Sequence, residues 1–266
     1  MEDMSPLRGK EVVIFDLDGT LTPSKAAMQG DMARALARLL LEKRVAVIGG
    51  GSYEQFRHQF VEKARLPGHL LARLFLFPVS GTAFYRYAKG RWKKVYAKHF
   101  SAAEKKKIFS AFKETFRRTG YRHPEKVYGK IIEDRGSQVT FSAVGQDVVS
   151  MLGVRRGVAV KERWHKNSEV RPQLMKVLKG LLPGFTVRSG GLTSIDVTKF
   201  GIDKAYGVRQ IGKTLKIPIA KMVFIGDALF PGGNDYAAKR TGIQCIPVKG
   251  PADTKKIIKK LTLLRS

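Results

Sequence analysis

Cysteine is almost missing: Cys245 stands alone in 266 residues. One thiol excludes an internal disulfide and any multi-cysteine metal site. Its setting, Ile243-Gln244-Cys245-Ile246, reads as a small buried hydrophobe. Long apolar runs are missing too, and no stretch approaches the roughly 18 uninterrupted apolar residues of a spanning helix. No membrane partner is expected. Met1 to Lys10 is polar and the apolar run after it is short, so nothing there reads as a signal peptide; a cytoplasmic protein is the expectation. Internal repeats and low-complexity linkers are also absent. Acids are scarce: 22 Asp and Glu face 50 Lys and Arg, for a net charge of +28. That surplus attracts phosphate-bearing partners of any size. Residues 86 to 118 alone carry 12 basic and two acidic side chains. Neither zinc-finger spacing nor an RRM-type aromatic signature accompanies them, so nucleic acid stays a secondary candidate behind small anions.

What is present is enough for a substantial core. The chain is 43% apolar, and its length suits one large domain or two modest ones. The stretch that organises it is Val12-Val13-Ile14-Phe15-Asp16-Leu17-Asp18-Gly19-Thr20-Leu21-Thr22. An unbroken apolar run rich in β-branched residues reads as a strand buried on both faces. Residues i and i+2 leave a strand on the same side, so Asp16 and Asp18 emerge together before Gly19 allows a sharp turn. Two carboxylates at a strand end are costly without a balancing cation. Oxygen-only ligands suit a hard ion such as Mg2+.

Residues 29 to 43 carry Met32, Leu36, Leu39 and Leu40 at helical spacing, and Arg44 to Ile48 is a second short strand ending in Gly49-Gly50-Gly51-Ser52. Strand, helix and strand in about 40 residues make a βαβ unit with a right-handed crossover. The small residues after it permit close approach to an anion, or simply cap a helix over 53 to 64. Leu74 to Pro78 reads as a third strand. Lys89-Gly90 between two aromatic-rich runs signals a hairpin. Ser101 and Glu104 form a capping box for a helix ending near Gly120. Residues 130 to 144, 157 to 160 and 186 to 188 are strand-like, and 171 to 181 is helical. This mixture predicts an α+β insert. Asp203-Lys204 then opens a helix, and Met222 to Ile225 is another apolar strand ending in an acid, Gly226-Asp227, followed by Asn234-Asp235. Ligands of open α/β sheets collect outside the carboxyl ends of strands, where Asp16 and Asp227 both fall.

Asp16-x-Asp18-Gly19-Thr20, Lys204, and Gly226-Asp227 through Asn234-Asp235, in that order, resemble the haloacid dehalogenase (HAD) superfamily. The closest resemblance is to its large-cap branch, which holds sugar-phosphate phosphatases and eukaryotic-type phosphomannomutases. It implies an α/β fold, a Rossmann-like doubly wound parallel-sheet core with an inserted α+β cap. The expected core is residues 1–82 and 189–266, and the expected cap 83–188. It further implies Asp16 as nucleophile, Asp18 as general acid/base and Lys204 as catalytic lysine. Mg2+ would bind Asp16, the Asp18 backbone carbonyl, Asp227 and Asp235. Thr20, Lys25, Gly51, Ser52, Arg135, Gln146, Ser194, Asp196 and Asn234 complete the implied phosphate- and substrate-binding set.

Departures from the mutase pattern shape the expected activity. A mutase holds a second phosphate with cap arginines, whose planar forks bind phosphate bidentately. Arg135 matches one, but neutral Gln146 stands at the next, and Lys25 replaces an arginine that meets the sugar phosphate. Ser194 and Asp196 match the sugar-contacting pair. The resulting expectation is a Mg2+-dependent phosphatase acting on a small phosphorylated metabolite, a sugar phosphate first. The alternatives are a phosphomannomutase, and more distantly a polyanion binder on a HAD scaffold. A homodimer through the cap is a further expectation.

Overall fold

The computed structural model describes residues 7–23, 26–166 and 169–263. Lys25, one of the expected substrate residues, lies outside them. The chain runs β1 (Val12–Asp16), α1 (Gly30–Glu42), β2 (Arg44–Ile48), and α2 (Tyr53–Phe56), which passes through a π turn (Arg57–Val61) into α3 (Glu62–Ala64). Then come α4 (Gly68–Leu71), β3 (Leu74–Phe77), the single turn α5 (Pro78–Gly81), and the hairpin β4 (Ala83–Ala88) and β5 (Arg91–Ala97). The insert holds α6 (Ala102–Thr119), β6 (Ile132–Asp134), β7 (Gln138–Ser142), α7 (Val148–His165), α8 (Val170–Leu181), β8 (Phe185–Ser189) and β9 (Ser194–Lys199). The chain closes with α9 (Lys204–Leu215), β10 (Met222–Gly226), β11 (Gln244–Pro247) and α10 (Pro251–Leu263).

Two compact units result: the core, of residues up to Ala97 with those from Asp203 onward, and the cap, Lys98–Ile202. Among the described residues the core sheet has seven strands in the order β11-β10-β1-β2-β3-β4-β5. The first five are parallel, and β4 and β5 continue antiparallel. β1 lies in the middle, every residue buried. Its two faces explain the unbroken apolar run: Val13 and Phe15 pack with Leu36 and Leu40 of α1 and Ile258 of α10. Val12 and Ile14 pack with Val208 and Ile211 of α9. Each such side chain contributes roughly 1.5–3 kcal/mol relative to exposure. No described helix is long and apolar enough to cross a membrane.

The expected domain boundaries move at both ends of the insert. The hairpin joins the core, because β4 pairs with β3 (Phe75↔Arg86, Leu76↔Tyr85) and lengthens its sheet. β9 joins the cap, because it pairs with β7 along its length. Ser194 and Asp196 are therefore cap residues. Within the cap, Gly157 to Val160 is helical, not extended: it lies inside α7, downstream of a break at Gly153. Four apolar residues carry too little periodicity to separate the two readings. Cys245 sits half-buried on the edge strand β11 rather than in the interior, and that burial pushes its thiol up to about 11. The hairpin turn and the capping box form as expected, with Lys89 and Gly90 both at positive φ and Ser101 and Glu104 exchanging hydrogen bonds.

Candidate active site

Four chain segments meet at the carboxyl ends of β1 and β10. Asp16, the last residue of β1, is 3% exposed, and Asp235, in the loop after β10, is 0% exposed. With Asp227 they form a cluster in which one carboxylate oxygen from each lies within 4.8 Å of the others. Lys204, the first residue of α9, is 4% exposed and pairs with Asp16 at short range and with Asp235 Oδ1 at 3.0 Å. Its Nζ also donates to the Ile48 carbonyl at 3.2 Å. The start of α9 is fixed from outside the cluster: Asp203 accepts from the Tyr206 N–H at 2.9 Å and pairs with Arg240.

Three carboxylates against one ammonium leave an uncompensated negative site. Burial raises the Asp16 carboxyl well above the usual range; Lys204 pulls it back, and Asp235 and Asp227 push it up further. Asp227 is raised by burial first and Asp235 next. For Lys204 burial opposes the charged form, but Asp16 and Asp235 outweigh it and hold the ammonium above the ordinary lysine value. Asp235 Oδ2 accepts from the Ala228 N–H at 3.2 Å, while its buried Oδ1 has Lys204 as an ion-pair partner but accepts no well-aligned hydrogen bond. A hard divalent cation fits this donor set, since all three residues offer oxygen and the site lacks positive charge.

Thr20 is fully buried, and its hydroxyl donates to Asp227 Oδ1 at 3.0 Å while accepting from the Asp227 N–H at 3.1 Å. Its hydroxyl thus orients Asp227 within the acid cluster. Gly19, at φ +84°, passes so close to Asp227 that a Cβ there would collide with that carboxylate. Ser52 caps α2, accepting from the Gln55 N–H at 3.2 Å. Asn234 is exposed beside Asp235. Asp18 stands outside the acid cluster: Gln59 Nε2 donates to its Oδ1 at 2.7 Å and Gln55 Nε2 to its Oδ2 at 3.3 Å. Neither glutamine stood out in the sequence. Their i, i+4 spacing just after the glycine run is the signal that was available.

Within the cap, β7 and β9 alternate strictly. Val139, Phe141, Ile195 and Val197 enter its apolar core. Gln138, Thr140, Ser142, Ser194 and Asp196 share the other face, and Thr140 Oγ1 donates to Asp196 Oδ1 at 2.8 Å. Arg135 follows β6 and is engaged by Glu133 at 2.7 Å and by Gln146 Oε1, which accepts from Nη2 at 3.2 Å. Gln146 Nε2 in turn donates to the Thr140 carbonyl at 3.3 Å. Arg135, Gln146 and Asp196 thus belong to one cap network, joined through Thr140.

Comparison with known proteins bears on the family and the fold. The family model for eukaryotic phosphomannomutase matches residues 32–264. The phosphomannomutase of Saccharomyces cerevisiae is 27% identical over 255 residues, covering 94% of this chain and 93% of that protein. Human phosphomannomutase 1 is 26% identical over 240 residues, with 86% and 84% covered. Among solved structures, an N-terminally truncated Plasmodium falciparum IMP-nucleotidase superposes with a TM-score of 0.67 at 17% identity, over 98% of this chain and 73% of that one. A trehalose-6-phosphate phosphatase of Aspergillus fumigatus gives 0.53 at 18%, with 98% of both chains covered. These superpositions establish a shared HAD-type fold.

Proposed function

The chain belongs to the eukaryotic phosphomannomutase family, and on that premise we propose that it moves a phosphoryl group between the 1- and 6-oxygens of a hexose phosphate. The observation that carries the reading is the pairing of two differently held acids at the end of β1: Asp16 inside the charged cluster, and Asp18 outside it on amide donors. Asp16, Asp227, Asp235 and the Asp18 carbonyl would hold Mg2+, which when bound neutralises carboxylate and phosphate oxygens together. A carboxylate oxygen of Asp16 attacks phosphorus, and the sugar oxygen departs with a proton from Asp18. Lys204 holds the transferring phosphoryl oxygens as a point charge, and Ser52 adds a hydroxyl donor. The species attacked is a hexose bisphosphate. A phosphorylated Asp16, first charged by the activating bisphosphate, gives its phosphoryl group to the free hydroxyl of the hexose monophosphate, whose proton Asp18 takes. The freed Asp16 then accepts the other phosphoryl group. The cap residues Arg135, Ser194 and Asp196 are proposed to read the sugar.

The relatives weight this mutase reading above the hydrolase that the departures at Gln146 and Lys25 had put first. Hydrolysis remains the second reading for one reason. The Arg135 guanidinium is engaged by Glu133 and by a neutral glutamine where a mutase would present a further cation. One missing charge-assisted contact weakens a second-phosphate grip by roughly 1.5–3 kcal/mol. The test is mannose 1-phosphate with Mg2+, with and without catalytic glucose 1,6-bisphosphate, following mannose 6-phosphate and inorganic phosphate. Bisphosphate-dependent mannose 6-phosphate is the expected result; phosphate release without the activator would establish the hydrolase instead.

A further inference from the structure

We propose that Gln59, seconded by Gln55, is the positioning residue that aims Asp18 at the leaving oxygen, and that the π turn Arg57–Val61 exists to place it. The inference rests on the reading of Asp18 as the proton carrier. Gln59 is 6% exposed and its Nε2 lies 2.7 Å from Asp18 Oδ1 and 2.6 Å from Thr22 Oγ1. Its Oε1 accepts from Gln55 Nε2 at 3.0 Å, and that same amide reaches Asp18 Oδ2 at 3.3 Å. Both carboxylate oxygens are therefore held by amide donors, which fixes the plane of the carboxylate and not only its distance. Donors suited to this task must be neutral, because a lysine or arginine here would compete for the proton's partner as a fixed ion pair.

The backbone is arranged around the same contact. One extra residue in the turn shifts the side chains that follow it around the helix, and π turns, rare overall, are frequent at functional sites. It also frees the Gln59 carbonyl, which accepts from the Met28 N–H at 2.8 Å. The Asp18 loop is closed by its own hydrogen bonds, Gly19 N–H to the Thr22 carbonyl at 2.7 Å and Thr22 N–H to the Leu17 carbonyl at 3.0 Å. Thr22 is thus shared between the loop and Gln59. Gly51 completes the set, because a Cβ at that position would lie 2.5 Å from Gln55 Oε1. Gly51 makes room for Gln55, and Ser52 after it caps the helix that carries it.

Leaving-group chemistry separates aiming from mere support. A sugar alkoxide needs the Asp18 proton to depart, whereas p-nitrophenolate leaves without it. Single-turnover phosphorylation of the enzyme is measured with glucose 1,6-bisphosphate and with p-nitrophenyl phosphate for wild type, Asp18→Asn, Gln59→Met and Gln55→Met. Methionine keeps length and volume while removing the amide donors. Gln59→Met should lose about 10- to 100-fold more rate on the sugar phosphate than on the aryl phosphate, with KM for the sugar within about twofold of wild type. Gln55→Met should show the same split more weakly. It provides the answer by itself if Gln59→Met does not fold, as judged by circular dichroism. Equal losses on both substrates, or none, with Asp18→Asn still selective, would overturn the positioning role and leave the Asp18 assignment standing. An Asp18→Asn enzyme that loses both substrates equally would instead remove Asp18 as proton carrier, and this inference with it.

Discussion

Asp227→Asn should make the metal-free protein more stable while removing its activity. The reason is the charge imbalance around β1 and β10. One Asp227 oxygen lies within 4.8 Å of an oxygen of Asp16 and of Asp235, so at an effective dielectric constant of about 20 each repulsion is about 3.5 kcal/mol. Lys204 offsets part of this, but its direct partners are Asp16 and Asp235. Asp227 is also partly open to solvent, which screens the remainder to about 1–2 kcal/mol. Asparagine keeps an oxygen for the Thr20 hydroxyl, so the 3.0 Å hydrogen bond can survive the change. For a chain of this length the gain corresponds to roughly 2–8 °C in melting temperature in the presence of a chelator. Adding Mg2+ should then raise the melting temperature of wild type and much less that of the variant, because binding to the native state stabilises it by mass action. Differential scanning calorimetry with and without Mg2+ makes the measurement. A variant less stable than wild type in chelator, or one gaining as much from Mg2+, would refute the acid cluster as an electrostatically strained metal site.

Three further outcomes test other parts of the account. Ca2+ in place of Mg2+ should suppress turnover, since its larger and looser coordination misplaces the attacking carboxylate; full activity with Ca2+ in the mannose 6-phosphate assay would contradict the assignment. Gly81→Ala should destabilise the fold by more than about 1 kcal/mol in urea unfolding. Gly81 has φ +82°, and its Cβ would meet Gly207 Cα of α9 at 2.8 Å; an unchanged midpoint would show that this close approach is not needed. Arg135→Ala should raise KM for phosphosugars more than for p-nitrophenyl phosphate, and equal effects would mean that the cap does not read substrate through this residue.

The acid cluster was legible because both of its strands advertise themselves. Val12 to Phe15 and Met222 to Ile225 are buried on two faces, so their apolar runs are unbroken, and an acid at the end of each is conspicuous. Lys204 needed the family resemblance, since a lysine at a helix start is ordinarily solvated. The insert's limits were harder to read. β4 and β5 pair beyond β3 on the sheet's outer edge, and a hairpin's local sequence does not say which sheet it extends. Ser194 and Asp196 were chosen for their likeness to a sugar-contacting pair, while their unit depended on the long-range pairing of β9 with β7. The Thr20 contact with Asp227 and the place of Gln59 were not legible for another reason. Their roles lie in contacts with Asp227 and Asp18, 207 and 41 residues distant, and a π turn leaves no pattern in composition.

The central claim is a covalent phosphate on Asp16. The protein is mixed with Mg2+, mannose 1-phosphate and glucose 1,6-bisphosphate, quenched in acid within a turnover, digested and examined by tandem mass spectrometry. The account predicts one added phosphoryl group on the peptide that contains Asp16, located on Asp16 and not Asp18, and its absence from Asp16→Asn. Turnover of the sugar phosphate with no phosphorylated Asp16 at any quench time, or near wild-type turnover in Asp16→Asn, would contradict it.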